Sequence, residues 1–261
     1  MQLTPVDHTR LVGRLRAAGC VFAEEEAQLL AAGAGETREL ESLLVRRLAG
    51  IPLEQVLGWA EFCGLRIMVE PGVFVPRRRT EFLATRAAAI TRPGDRVVDL
   101  CCGTGAVAAR ILQLVEGIEV YATDIDPAAV RCAEHNLAGR ATASEGDLFD
   151  ALPLSVAGRL DVVVVNAPYV PSEAIALMPP EARNYEPVTA LDGGTDGLDL
   201  HRRIAAAAAQ WLASDGILLI ETSRAQRVAT LAIFREAGFA AHAESSAKVD
   251  ATIVVATRRA G

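Results

Sequence analysis

The chain has 261 residues, 51 % of them hydrophobic, and a formal net charge of −7, enough apolar content for one large domain or for one domain with a smaller appendage. No apolar run reaches the roughly 18 to 20 residues that a membrane span needs, and the opening stretch "MQLTPVDHTRLVGRL" lacks a charged-then-apolar secretory pattern, so a globular cytoplasmic protein without a membrane partner is expected. Residues 1–80 hold 10 Arg and 10 acidic residues, leaving 16 basic against 23 acidic residues in the remainder. An acidic domain with one lysine, Lys248, is poorly equipped to displace counterions along duplex phosphates, which argues against a general nucleic-acid binder.

In chain order, the first fifty residues predict helices. "HTRLVGRLRAAG" sets Leu11 and Leu15 four apart and closes at Gly19, and "FAEEEAQLLAAG" and "ETRELESLLVRRLAG" each stop at glycine. These form a small helical domain over residues 1–58. Next, "EFCGLRIMVEPGVFVP" mixes apolar and polar residues around Gly64 and the Pro71-Gly72 turn, which predicts a hairpin linker over residues 59–82.

From about Thr91 the rhythm changes, and residues 83–261 form the main domain. The runs "RVVDLC", "IEVYATD", "DVVVVN" and "GILLIE" are strand candidates separated by helical stretches. Continuous β-branched runs alternating with helices imply a mainly parallel sheet buried on both faces. Asp126 and Pro127 have the form of an N-cap and first-turn proline, after which Val130, Ala133 and Leu137 line one helical face until Gly139. Leu200, Ile204 and Trp211 do the same for a later helix, and "GFAAHAESS" with "ATIVVATRR" can pair as a C-terminal hairpin.

Five cysteines, Cys20, Cys63, Cys101, Cys102 and Cys132, form neither an even framework nor a C-x-x-C pair, as in a reducing compartment. The vicinal Cys101-Cys102 reads as small apolar residues at a strand end, with a redox pair as the alternative. His8, His135, His201 and His242 lack ligand spacing, so no metal is expected. "DGGTDG", Asp192 to Gly197, lacks the alternating ligands and distant glutamate of a calcium loop and reads as a turn element.

The chemistry gathers at strand ends. "VVDLCCGTGAVAARI" joins a strand to a helix through Gly103, Thr104 and Gly105, where glycines admit a ligand to the backbone and the helix start offers free N–H groups. The same string satisfies G-x-G-x-x-A, so a nicotinamide-dinucleotide fold stands as an alternative. The next strand ends in "YATDID"; with Asp126 as the cap, Asp124 is free to accept the hydroxyls of a ribose. "SEGDLFD" offers Asp147 and Leu148 to an adenine amino group and ring. The fourth edge, "VVNAPYVP", ends in the polar and aromatic turn Asn166, Ala167, Pro168, Tyr169.

In order, "DLCCGTGAVA", "ATDIDPAAV", "GDLFD" and "VVNAPYVP" resemble the motifs of class I S-adenosylmethionine-dependent methyltransferases, the last being close to the Asn-Pro-Pro-Tyr signature of amino-nitrogen methylation. The flanks "GIPLEQVLGWAEFCGLRIMVEPGVFVPRRRTEFL" and "NYEPVTALDGGTDGLDLHRRI" resemble the HemK/PrmC-type protein-glutamine N(5)-methyltransferases over roughly residues 45–230. That resemblance implies a Rossmann-like α/β methyltransferase domain with a C-terminal antiparallel hairpin, behind a helical substrate-recruiting domain. It implies a monomeric enzyme that moves a methyl group from S-adenosylmethionine, leaving S-adenosylhomocysteine, to a glutamine in the Gly-Gly-Gln loop of a peptide chain release factor. Asn166 and the carbonyl of Ala167 would accept the amide's hydrogens, Pro168 would fix the turn and Tyr169 would pack on the glutamine. Asp99, Cys101, Gly103 and Gly105 would border the methionine part of the donor, Asp124 with Ile125 the ribose, and Asp147 with Leu148 the adenine. Phe74, Pro76, Arg77, Thr80 and Glu81 match the family's Pro-Arg-x-x-Thr-Glu segment beside the same pocket, with Asn166 also touching the donor.

Four departures mark a divergent branch. Ala167 replaces the first proline; Arg78 and Arg79 stand where the family usually has Pro and Glu; "ETSRAQ" replaces Glu-Ile-Gly-x-x-Gln; and "VDATIVV" lacks the usual Asp-Leu-Ala-Gly-x-x-Arg. They bear on the substrate more than on the donor. The rivals are an adenine or cytosine amino-methyltransferase that flips a base of DNA or RNA against Tyr169, a methyltransferase acting on another protein, a dehydrogenase, and a non-catalytic binding module. No general base of shifted pKa is expected, because the product amide sheds its proton readily.

Overall fold

The computed structural model describes residues 5–258. Four helices come first: α1 (Pro5–Ala17), α2 (Ala23–Gly33), α3 (Thr37–Leu48) and the short α4 (Leu53–Leu57). Their apolar faces meet in a core of their own, in which Leu15, Leu30 and Leu44 are fully buried. Among these apolar groups lies one buried ion pair, Arg47 Nε to Glu26 Oε2 at 2.6 Å.

Two strands follow, β1 (Trp59–Phe62) and β2 (Leu65–Met68), paired antiparallel with Phe62 opposite Leu65. Cys63 and Gly64, with φ of 53° and 77°, make the two-residue turn between them, the left-handed pair that matches the twist of a hairpin. Pro71-Gly72 lies beyond the hairpin rather than within it, in a turn where the Val73 N–H donates to the Glu70 carbonyl at 3.2 Å.

The remainder alternates: α5 (Thr80–Ile90), β3 (Arg96–Leu100), α6 (Ala106–Leu114), β4 (Glu119–Asp124), α7 (Pro127–Leu137), β5 (Thr142–Glu145), β6 (Leu160–Val165), α8 (Pro180–Tyr185), α9 (Asp199–Trp211), β7 (Leu212–Thr222), α10 (Arg227–Glu236), β8 (Phe239–Ser246) and β9 (Ala251–Arg258). One seven-stranded sheet runs in the order β5-β4-β3-β6-β7-β9-β8. The first five are parallel, and β9 pairs antiparallel with both β7 and β8, closing the expected C-terminal hairpin.

Both faces of the sheet are covered, which explains the unbroken valine run of β6. Val162 and Val164 enter the core under α5, α6 and α7, while Val163 and Val165 enter the core under α9 and α10. On α7, Val130, Ala133 and Leu137 are all buried, as are Ile204 and Trp211 on α9.

Strand order reverses between β3 and β6. From β3 the chain adds β4 and β5 on one side, then crosses to add β6 and β7 on the other. Such a switch point leaves a crevice at the carboxyl ends of the strands.

Candidate active site

That crevice is a cavity of about 620 Å³. β3 and β6 place Leu100 beside Val165, so the loop beginning at Cys101 and the turn beginning at Asn166 leave the sheet side by side. Both wall the cavity.

The loop turns sharply, with positive φ at Cys101 (55°), Gly103 (53°) and Gly105 (73°). A side chain on Gly103 would meet no atom within 4 Å, whereas a Cβ on Gly105 would lie 3.1 Å from the Cβ and 3.2 Å from the Cα of Ala133. Gly105, expected beside a ligand, is not part of the cavity wall; it lets α6 approach α7. Cys101 lies at the cavity wall and its thiol is pushed far above its ordinary pKa by burial, with the Asp124 charge adding to the effect.

Asp124, at the end of β4, accepts the Gly103 N–H at 2.8 Å through Oδ2 and the Asp126 N–H at 3.0 Å through Oδ1. Asp126 caps α7 by accepting the Ala128 N–H at 2.8 Å, the division of labour that Pro127 predicted. Burial raises the Asp124 carboxyl, and its two backbone donors oppose the rise. Asp99 is 1 % exposed and accepts the Ala108 N–H at 3.1 Å; burial lifts it well above the usual carboxylate range, against that hydrogen bond, with the Asp124 charge adding. A buried and a half-buried acid on one wall favour a cationic ligand there, which would relieve both.

On the rim, Asp147 accepts from Arg203 Nη2 at 2.6 Å. Leu148 follows at a φ of 54° with its side chain buried. Phe74, Pro76, Arg77 and Thr80 form another wall. Arg77 lies 4.8 Å above the Phe74 ring and reaches Glu186 at 2.5 Å, while Glu186 also accepts the Val75 N–H at 3.2 Å. Glu81, expected in this wall, is turned the other way. It lies outside the cavity and accepts the Cys63 N–H at 3.3 Å, because on α5 it stands about 100° round the helix from Thr80, which faces the cavity.

The turn after β6 is held from several directions. Asn166 Nδ2 donates to Thr80 Oγ1 at 3.3 Å. Ala167 is 2 % exposed and packs into the core that contains Val165 and Ile204, and Pro168 is buried beside it. Tyr169 Oη donates to Glu221 Oε1 at 3.2 Å, and the Tyr169 carbonyl accepts from Gln226 Nε2 at 2.9 Å. Gly197 has a φ of 78°, and a Cβ there would run into that carbonyl oxygen, so "DGGTDG" is the strap that lies across the turn.

Glu221 was not among the expected site residues. It ends the apolar run "GILLIE" as β7 reaches the cavity, a polar residue closing a buried strand, and that signal was there to be used. Its Oε1 also accepts from Arg79 Nε at 3.2 Å, Arg79 being a second wall residue read only as a departure. Burial raises the Glu221 carboxyl, opposed by Thr80, Arg79 and Tyr169. β7 thus carries a carboxyl into a desolvated place beside the turn, where Arg79 and Tyr169 hold it. Burial and the Glu221 charge likewise raise the Tyr169 phenol, which stays protonated and goes on donating.

A family model described as a methyltransferase small domain matches residues 64–178. The release factor glutamine methyltransferase of Geobacter sulfurreducens is 35 % identical over 207 residues, covering 78 % of this chain and 72 % of that protein. The chain belongs to the HemK/PrmC-type glutamine methyltransferase family. At similar distance within its reach is a 4-amino-L-phenylalanine/4-methylamino-L-phenylalanine methyltransferase of Streptomyces pristinaespiralis, 37 % identical over 208 residues, with 77 % of this chain and 70 % of that protein covered. Among solved structures, a methyltransferase from Pyrococcus furiosus superimposes with a TM-score of 0.58 at 15 % identity, covering 82 % of this chain and 98 % of that one. That likeness carries the fold, a Rossmann-like class I methyltransferase with a helical N-terminal region. Family and fold together imply S-adenosylmethionine as the methyl donor. No helix among the described residues is long and apolar enough to cross a membrane.

Proposed function

We propose that this chain, as a cytoplasmic monomer, transfers a methyl group from S-adenosylmethionine to the side-chain amide nitrogen of a protein glutamine, in the Gly-Gly-Gln loop of a peptide chain release factor. The observation that carries this reading is that the Asn166–Tyr169 turn and the Cys101–Gly105 loop open into one cavity. We divide the chain into a substrate-recruiting domain (1–58), a linker (59–82) and a methyltransferase domain (83–261).

The donor suits the residues present. The volume of about 620 Å³ falls within the roughly 300–1,000 Å³ of small-molecule sites, the Gly103 face is open, and the buried Asp99 and half-buried Asp124 suit a cationic ligand. When bound, it supplies an electrophilic methyl on a sulfonium. Asp99, Cys101 and Gly103 would border its methionine part, and Asp147 with Leu148 its adenine. Asp124 with Ile125 would take the ribose; because each Asp124 oxygen already accepts one backbone N–H, its remaining lone pairs are aimed. Phe74, Pro76, Arg77 and Thr80 would close the wall beside Asn166.

An amide nitrogen is a poor nucleophile, its lone pair being delocalised into the carbonyl, so the protein's task is rigid presentation. Asn166 Oδ1 and the Ala167 carbonyl would each accept one amide hydrogen, holding the nitrogen toward the methyl, and the Tyr169 ring would pack on the glutamine side chain. A backbone carbonyl survives the change of proline to alanine. The stiffness lost with the ring is replaced by burial of Ala167 in the core and by the Gln226 bond to Tyr169. The helical domain reaches the same region, since Tyr185 Oη donates to the Ala49 carbonyl at 2.8 Å and Gln55 Nε2 to the Tyr185 carbonyl at 3.2 Å, bracing the segment that carries wall residues Pro187 and Val188.

The test incubates the protein with methyl-labelled donor and either a release factor or its Gln-to-Asn loop variant. Label in the first alone supports the reading. The Streptomyces relative's amino-acid substrate favours a second reading, a free aromatic amine as acceptor; label in 4-aminophenylalanine and in neither protein would replace the first reading with that one.

A further inference from the structure

The turn after β6 fixes its backbone and its aromatic side chain by separate means. The Tyr169 carbonyl accepts from Gln226 Nε2 at 2.9 Å, and the next N–H, of Val170, donates to the Leu191 carbonyl at 3.0 Å. The ring is held from two other sides. Its Oη donates to Glu221 Oε1 at 3.2 Å, and the Arg79 guanidinium stands over its face, 5.8 Å from the centroid, within reach of a cation–π attraction. Arg79 Nε donates to the same Glu221 oxygen at 3.2 Å, so side chains from the start of α5, the turn after β6 and the end of β7 converge on one atom. Glu221 is 1 % exposed and walls the cavity. Its Oε2 has no hydrogen-bond partner among the described residues, which leaves the ring's hydroxyl and the cation over the ring as the two groups it binds. For stability alone such a pair has little to offer, because a buried ion pair costs its own desolvation and apolar side chains of similar size in its place are commonly neutral or stabilising. What the pair does do is hold a ring on the cavity wall.

We propose that Glu221 and Arg79 are positioning residues of the acceptor site: Glu221 through the Tyr169 hydroxyl, and Arg79 over the Tyr169 face, hold the ring at a fixed angle, so that it forms one rigid side of the slot in which the acceptor side chain lies beside Asn166. The inference rests on the role of Tyr169 given under Proposed function. Because Gln226 and Leu191 hold the backbone of the turn independently, loss of either positioning residue frees the ring and leaves the turn in place.

The experiment uses the full-length protein, methyl-labelled donor and a release factor, and compares Tyr169→Phe, Glu221→Met and Arg79→Met with the Tyr169→Phe/Glu221→Met and Glu221→Met/Arg79→Met double variants. Expected is a fall in kcat/KM for the acceptor of about 10- to 100-fold in each single variant, the scale of a misplaced reacting group. S-adenosylhomocysteine affinity should stay within about twofold of the native value. Tyr169→Phe/Glu221→Met should be no slower than the slower of its two parents, because both changes break one contact. The Glu221→Met/Arg79→Met variant separates positioning from folding: its urea midpoint should be no lower than the native one while its kcat/KM stays low. Near-native kcat/KM in Glu221→Met and Arg79→Met, losses that multiply in Tyr169→Phe/Glu221→Met, or a loss of S-adenosylhomocysteine affinity as large as the loss of kcat/KM would overturn the inference, as would a lowered urea midpoint in Glu221→Met/Arg79→Met. A second measurement needs no acceptor: the Tyr169 ring carbon signals of the S-adenosylhomocysteine-loaded protein, assigned by their loss in Tyr169→Phe. They should shift in Glu221→Met and in Arg79→Met, and signals unchanged in both would equally refute the pair's role. If the native enzyme labels no release factor, the substrate reading fails while the ring signals still decide whether the pair holds Tyr169.

Discussion

Replacing Asp124 with alanine tests the donor site at its most constrained point. Its two oxygens are each fixed by one backbone donor, at 2.8 and 3.0 Å, which leaves a pair of aimed lone pairs for two ribose hydroxyls. Hydrogen bonds to a charged acceptor contribute about 1.5–3 kcal/mol each in favourable cases, and the burial that raises the Asp124 carboxyl consumes part of that. A net loss of about 2–3 kcal/mol is expected, which is roughly a 30- to 150-fold rise in the dissociation constant of S-adenosylhomocysteine by calorimetry. The alanine also strands the Gly103 and Asp126 N–H groups, so Asp124→Asn, which keeps the shape, is measured alongside and should fall between the two. Denaturation by urea confirms that the fold survives. If both variants are folded and bind within twofold of the native protein, the ribose is held elsewhere and the division of labour between Asp124 and Asp126 is wrong.

Gly105→Val should destabilise the protein by at least about 2 kcal/mol, since it combines a left-handed φ of 73° with a Cβ 3.1 Å from Ala133; urea midpoints unchanged from the native would show that α6 has room to move. His201 is fully buried, and burial lowers its pKa from 6.5 to about 4. Below pH 6.5 the unfolded chain therefore takes up a proton that the folded chain refuses, so stability present at neutral pH falls by about 3 kcal/mol by pH 4. His201→Gln should flatten that part of the urea stability profile, and an unaltered slope would place the pH dependence elsewhere. Arg47→Ala leaves Glu26 buried and uncompensated, for about 3–5 kcal/mol of lost stability; a loss under 1 kcal/mol would mean that the helical core relaxes around the charge. Asn166→Ala should lower turnover far more than donor affinity, and near-native turnover would remove Asn166 from the acceptor site.

What could be read from the chain was local. The β-branched runs of β3, β4, β6 and β7, the Asp126-Pro127 cap and the Asn166–Tyr169 turn each declare themselves within a few residues, because strand burial, capping and turn chemistry are decided by neighbours in sequence. β5 is four residues with no apolar run, "TASE", and was visible only through the "SEGDLFD" edge that follows it. The supports of the turn were hidden for a different reason. Thr80 meets Asn166 across 86 residues and Tyr169 meets Glu221 across 52, contacts set by the order in which strands join the sheet. Gly105 and Glu81 show how far a matching string leaves direction open. Both sit in strings that match a ligand-binding pattern, yet one is a packing contact between helices and the other turns to the hairpin, and only the direction of each Cα–Cβ bond decides between those roles. By sequence alone the departures bear on the substrate more than on the donor. In the fold one of them supplies a contact, Arg79 pairing with Glu221, while Gln226, which keeps the final Gln of the family's Glu-Ile-Gly-x-x-Gln, clasps the Tyr169 carbonyl.

The most direct test of the account is to react the protein with S-adenosylmethionine and a release factor, then locate the added methyl by peptide mass spectrometry. The account predicts one methyl on the glutamine of the Gly-Gly-Gln loop, abolished by Asn166→Ala while donor binding persists. A methyl on another residue, on nucleic acid or only on a free aromatic amine would contradict it.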